Sequence, residues 1–247
     1  MMIQNYYESA YKAHLGIRPL HEVLEETEKN ARGLYHYVLE IKSQFLPDKN
    51  WEEMTILETG GGHGGLAFLL AKLGAKVTTV DFSPSAVEMC QKLIEFTGLP
   101  VKAMQGDLTH PDLNLNGKFD LIVDSHLLHC ITGVGDRASY YQMIRDHLGV
   151  GGLFICETMV HKKNIFIPDG FMFDPEFTLW QLFGEWTPIR KILDSLDLEV
   201  ELKTSGFNII FFYYYAHFAF VPHAQFMELP TDILPASVRF VVKVDQE

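Results

Sequence analysis

Glu58, Asp81 and Asp107 are three acids that each follow a short apolar run in the first half of this chain: ILE at 56–58, TTVD at 78–81 and VKAMQGD at 101–107. Behind the first run stands GGGHGG, so that Gly60, Gly62 and Gly64 follow Glu58 at alternate positions. Glycines just after a buried strand give a backbone that a ligand can approach closely. After a fourth apolar run, FDLIV, come Asp124, Ser125, His126 and His129. Histidine is the side chain best suited to take a proton near neutral pH, so His126 and His129 are candidate general bases, His126 first.

Two ligand classes compete for the glycine loop. Gly60, Gly62 and Gly65 satisfy the GxGxxG pattern of a dinucleotide site, which would make the chain a nicotinamide-dependent oxidoreductase. Glu58 argues against it, because a fixed carboxylate repels the diphosphate that such a loop must hold. A ligand carrying an ammonium group would meet Glu58 favourably, and its carboxylate would meet the N–H groups of the loop. S-adenosylmethionine has both groups, with an adenosine and a positive sulfonium besides. Asp81, 21 residues past Gly60, is placed to take both ribose hydroxyls. Asp107 is placed to accept from the exocyclic amine of an adenine, with Phe82, Leu108 and the neighbouring backbone beside the nucleoside.

These residues need elements that hold them together. Apolar or small residues at Leu20, Leu24, Thr27, Ala31, Leu34, Val38, Ile41 and Phe45 form a helical stripe that Pro47 stops. From Trp51 onward, strands alternate with helices. Strands are expected at 55–58, 76–80, 101–105, 119–123 and 153–158, and helices at 66–73, 83–96 and 140–148, with a turn at Gly151 and Gly152. Such alternation predicts an α/β, Rossmann-like, doubly wound and mostly parallel sheet with helices on both faces. Ligands of these sheets sit beyond the strands' carboxyl ends, where all the acids above fall. Residues 160–190, rich in aromatics, proline and glycine, break the rhythm and are expected to be an inserted lid rather than another sheet unit. A helix from 192 to 204 and strands at 208–220 and 238–244 complete the reading. Residues 1–50 are expected to form an N-terminal helical cap and 51–247 the ligand-binding domain.

Composition narrows the classes. The 247 residues carry 20 basic and 32 acidic side chains, a net charge of −12, without a basic cluster to neutralise a phosphate backbone. Nucleic acid is therefore not the expected partner. Cys90, Cys130 and Cys156 form no CxxC pair, so neither a disulfide framework, a zinc ribbon nor another metal site is indicated. No membrane-length apolar run and no secretory leader are present, so the expected location is the cytoplasm, with no membrane partner.

At this point the chain resembles the class I S-adenosylmethionine-dependent methyltransferases of small-molecule type. ILETGGGHGG, TTVDFS, QGDL, FDLIVDSHLLHCI and the HLGVGG turn before LFICETM carry the resemblance, in that order. It implies a seven-stranded sheet with an antiparallel last strand, S-adenosylmethionine as cofactor, and methyl transfer to an oxygen or nitrogen of a small molecule. It also places Asp124, Ser125, His126 and His129 beside the transferred methyl group. His63, bulkier than usual inside the loop, is a candidate contact to the methionine part of the cofactor. Tyr6, Tyr7 and Tyr11, on an N-terminal helix, are candidates to cap the cofactor, with Tyr7 and Tyr11 also facing the substrate. Phe171, Phe173, Phe177, Trp180 and Trp186 of the insertion are candidate walls of an apolar acceptor pocket, and His161 is a candidate polar group facing the substrate. The alternatives are a protein that binds S-adenosylmethionine or S-adenosylhomocysteine without catalysis, and the oxidoreductase above.

Overall fold

The computed structural model describes residues 8, 11–12, 18–111, 113, 115–216 and 234–244. Helix α1 (Leu20–Phe45) buries Leu34, Val38 and Ile41 of the expected stripe, with Val23 and Tyr37 beside them. Strands β1 (Thr55–Thr59), β2 (Lys76–Asp81), β3 (Val101–Gln105) and β4 (Phe119–Ser125) alternate with α2 (Gly65–Ala71) and α3 (Pro84–Thr97). Helix α4 (Val134–His147) then leads into β5 (Leu148–Val160). After an insertion come α5 (Ser195–Thr204), β9 (Phe207–Tyr215) and β10 (Ala236–Val244).

The seven strands lie in the order β3-β2-β1-β4-β5-β10-β9, with β1 to β5 mutually parallel and β10 antiparallel to both of its neighbours. Strand order reverses between β1 and β4, the switch point at which such sheets open a crevice. One face packs on α1, α2 and α3 through Ile41, Phe68 and Leu93. The other packs on α4 and α5 through Tyr140, Ile144 and Leu202. No helix among the described residues is long and apolar enough to cross a membrane.

Four expectations change. The helix expected at 140–148 starts earlier, at Val134, and ends at His147. The Gly151–Gly152 turn does not precede β5 but lies inside it, within a register irregularity where Phe119 pairs with Leu148 and Leu121 with Leu153. Helix α5 starts at Ser195 instead of Ile192, because the Asp194 carboxylate accepts from Leu196 N–H and caps it. The insertion is a sheet of its own, antiparallel β6 (Phe171–Phe173), β7 (Thr178–Leu182) and β8 (Trp186–Lys191). A short turn through Gly184, at φ +82°, joins β7 to β8 and is a hairpin signal that the aromatic content obscured. Of the 208–220 strand, the part from His217 onward lies outside the described residues.

Candidate active site

Glu58, at the centre of the sheet, is 1% exposed. Burial pushes its carboxyl up to about 7, against the hydrogen bond from Ser125, while its Oε2 and the Thr79 hydroxyl are buried without a hydrogen-bond partner among the described residues. Ser125 Oγ donates to Glu58 Oε1 at 2.9 Å, which ties the end of β4 to the end of β1. Asp81 Oδ2 accepts from Gly62 N–H and Oδ1 from Ser83 N–H, both at 2.9 Å. Burial raises Asp81 as well, against those two hydrogen bonds. The charges that act on these two acids are themselves acids, Asp81 on Glu58 and Glu8 on Asp81.

The glycine loop is built for close approach. Gly60 has φ +68°, and a Cβ there would stand 2.7 Å from Leu127 Cβ, so the loop packs directly on the turn after β4. Its N–H groups are used differently from the sequence reading, which left them for a ligand carboxylate. Gly60 and Gly61 donate to Val80 O, Gly62 to Asp81 and Gly64 to Gly61 O. Tyr11 covers the loop: a Cβ at Gly62 would lie 2.6 Å from its hydroxyl, and its ring stands 5.1 Å from that of His63. Burial, with the charges of Asp81, Cys130 and Glu58, raises the Tyr11 phenol. Glu8 accepts from Ser83 Oγ at 2.6 Å and from Ser85, at the start of α3. Tyr6 and Tyr7 lie outside the described residues. Asp107 is exposed, with Oδ1 accepting from Thr109 N–H and Oγ1–H, while Leu108 is buried behind it. Phe82 is half-buried just past β2.

These groups fit S-adenosylmethionine. Two buried carboxylates face each other's charge, so a positive ligand would relieve both. Asp81 has used two of its roughly four lone-pair positions, which leaves capacity for ribose hydroxyls.

Beyond β4 the four expected residues separate. Asp124 is 0% exposed and turned inward. Its Oδ1 accepts from the N–H groups of Leu127 and Leu128, and its Oδ2 from Tyr140 OH at 2.6 Å. Burial raises it despite these bonds. Asp124 therefore shapes the turn and does not point into the crevice. That turn places His126 at φ +70°, a left-handed conformation rare for a bulky side chain, which costs about 1–2 kcal/mol. His126 Nε2 lies 2.9 Å from Glu157 Oε1, and the other Glu157 oxygen accepts from Arg239 Nε–H. His129 is 3% exposed. Its Nδ1 lies 3.2 Å from Thr158 Oγ1 and accepts from Met159 N–H, and burial, with Arg190 and His126 nearby, depresses its protonation strongly.

The insertion borders this turn, because Arg190 Nη1–H donates to Cys130 Sγ at 3.1 Å. His161 packs edge-on against Phe173 and at a tilt against Phe177, with ring centroids 5.4 and 4.8 Å away. Phe177 is the second bulky residue in the left-handed region, at φ +62°. Trp180 is separated from Phe173. Met172 pairs with Trp180, and Phe173 with Leu179 and through it Arg190, so the two aromatics point to opposite faces of the small sheet. Trp180 Nε1–H donates to Asp174 Oδ2.

Glu157, Arg239, Tyr140 and Glu8 escaped the sequence reading. For Glu157 and Arg239 there was a signal, a single charge inside each of the apolar runs LFICETMV and ASVRFVV.

Residues 56–152 match the family model described as a methyltransferase domain. The chain is 26% identical over 161 residues to a ubiquinone biosynthesis O-methyltransferase of Cereibacter sphaeroides, covering 63% of this chain and 61% of that protein. It is 31% identical over 113 residues to a ribosomal protein L11 methyltransferase of Clostridium botulinum, covering 45% of this chain and 33% of that protein. Its fold matches a solved S-adenosylmethionine-dependent methyltransferase from Clostridium acetobutylicum with a TM-score of 0.57 at 17% identity, over 86% of this chain and all of that one. The chain thus spans about three fifths of the length of the first of these relatives, its residues 56–152 match a methyltransferase domain, and its sheet has the fold of the S-adenosylmethionine-dependent methyltransferases.

Proposed function

We propose that this protein transfers a methyl group from S-adenosylmethionine to an oxygen or nitrogen of a small-molecule acceptor, with His126 taking the proton that the acceptor loses. The observation that carries the reading is His126 itself, held in a costly backbone conformation beside a buried carboxylate and one residue from the Ser125–Glu58 link. When bound, the cofactor supplies a methyl group already activated by its sulfonium charge. What the protein must add is position, dryness and a proton acceptor.

Glu58 offers its negative charge to the cofactor's cationic part, Asp81 its remaining lone pairs to the ribose, and Asp107 an acceptor for the adenine amine, beside Phe82 and Leu108. His63, with Tyr11 above it, closes the loop side. His161, Phe173 and Phe177 form an apolar and aromatic wall on the acceptor side, and the 160–190 segment acts as the lid. Residues 1–50 serve as the cap. His129, buried and depressed, is a packing partner of β5 in this scheme, so the proton passes to His126. The net charge of −12 supports a small acceptor over nucleic acid.

The test is transfer of a radiolabelled methyl group to a panel of phenols, carboxylic acids and amines, with ribosomal protein L11 as a protein acceptor. Label in an extractable small product, made by the native protein and lost in His126→Ala, supports the proposal. Tight binding of S-adenosylhomocysteine without transfer to any acceptor, or label on protein alone, overturns it.

A further inference from the structure

Glu157 sits where the parallel half of the sheet meets the antiparallel strand. Ser125, Glu157 and Arg239 pair in one row across β4, β5 and β10, so their side chains rise from the same face. Glu157 is 1% exposed, and a carboxylate so buried needs both oxygens compensated. Arg239 compensates one. Its guanidinium is held between the rings of Tyr37 and Tyr215, at 5.0 and 5.2 Å, which leaves it little freedom to swing away. The second oxygen is thereby aimed at His126 Nε2.

We infer that Glu157 and Arg239 are positioning residues for His126: Arg239 pins the carboxylate, and the carboxylate fixes the imidazole with its proton on Nε2, so that Nδ1 is the nitrogen that accepts from the substrate. This rests on the methyl-transfer reading above for its purpose, but not for its geometry. Two independent anchors then set the base, because the Asp124 turn fixes the backbone of His126 and Glu157 fixes its ring. The low protonation of Glu157 agrees: burial raises it, yet the bond to His126 and the charges of His126 and Arg239 hold it below the ordinary glutamate range. The ionisable groups near His126 include Glu157 from β5, Asp124 from β4 and His129 from the following turn, with Arg239 of β10 acting through Glu157.

The obvious rival is that Glu157 and Arg239 form a cross-strand pair that merely staples β5 to β10. The two accounts differ in what His126 reports. Label the histidines of the full chain with 15N, saturate it with S-adenosylhomocysteine, and assign the imidazole by comparison with His126→Asn. In the native protein the neutral ring is expected as the Nε2–H tautomer. Glu157→Gln offers Nε2 an amide that can donate as well as accept, and is expected to populate the Nδ1–H tautomer. Arg239→Met releases the carboxylate from its pin and is expected to admit part of the Nδ1–H tautomer too, while Arg239→Lys restores the native one.

A tautomer that changes in both variants is the signature that a staple does not produce. A native ring protonated on Nδ1, or a tautomer unchanged in Glu157→Gln, overturns the inference. The native tautomer needs no variant, so a misfolded mutant does not remove the test, and S-adenosylhomocysteine affinity checks that each variant folds. None of these readings requires turnover, so they stand apart from His126→Ala, which tests the transfer reading.

Discussion

Glu58 and Glu157 are the same residue type, near the ends of two strands of one sheet, and both are 1% exposed. Yet burial lifts Glu58 to about 7, while Glu157 is held below the usual glutamate range. The difference lies in their company. Glu157 has a guanidinium and an imidazole within hydrogen-bond reach, whereas the charge acting on Glu58 is that of Asp81. The compensated acid has its counter-charge inside the chain and is suited to orienting a neighbour. The uncompensated one has its charge balance completed by something that arrives, and a cation is what completes it.

The sharpest contrast between the halves comes from removing the base. His126→Ala is expected to lower methyl transfer about 10²–10⁴-fold, the usual share of a general base, while calorimetric affinity for S-adenosylhomocysteine stays within about threefold. Comparable losses in both would merge the two halves into one. On the cofactor side, Asp81→Asn keeps the shape but removes the charge that receives Gly62 and Ser83 N–H. Hydrogen bonds to a charged group are worth about 1.5–3 kcal/mol, so S-adenosylhomocysteine affinity is expected to fall about 10–100-fold.

Glu58 sharpens the comparison through pH. Its folded protonation midpoint, about 7, lies above the ordinary value of 4.5, so its contribution to stability is full below 4.5 and is lost as pH rises through 7. Glu58→Gln is therefore expected to change the ligand-free protein little at pH 5 and to stabilise it by about 1–3 kcal/mol at pH 8.5, read by chemical unfolding. A cationic ligand favours the ionised form, so binding of S-adenosylmethionine is expected to release a proton near pH 7, measured by calorimetry in buffers of different ionisation enthalpy. Glu58→Gln should abolish that release, and a release that persists would assign it elsewhere. The smallest effect concerns the insertion. Phe173→Ala is expected to raise the acceptor KM several-fold and Trp180→Ala to change it less than twofold, because the two rings lie on opposite faces. Equal effects would place the acceptor across both faces.

What the chain shows without its fold is mostly what works at short range. The glycine spacing, the acids that close three successive apolar runs, and the alternation of elements all lie within windows of about 25 residues. That is the range over which strand, turn and helix signals are written, and they suffice for the sheet and the cofactor. The tertiary structure decided the rest. It turned Asp124 inward by supplying Tyr140 and the N–H groups of Leu127 and Leu128, and it sent Trp180 away from Phe173 by the alternation of a strand. It also brought Arg239 to Glu157 from 82 residues away through the antiparallel register of β10 on β5. Local pattern tells which residues are buried, but which buried charge meets which partner depends on pairings between distant strands. Only the closed sheet sets those.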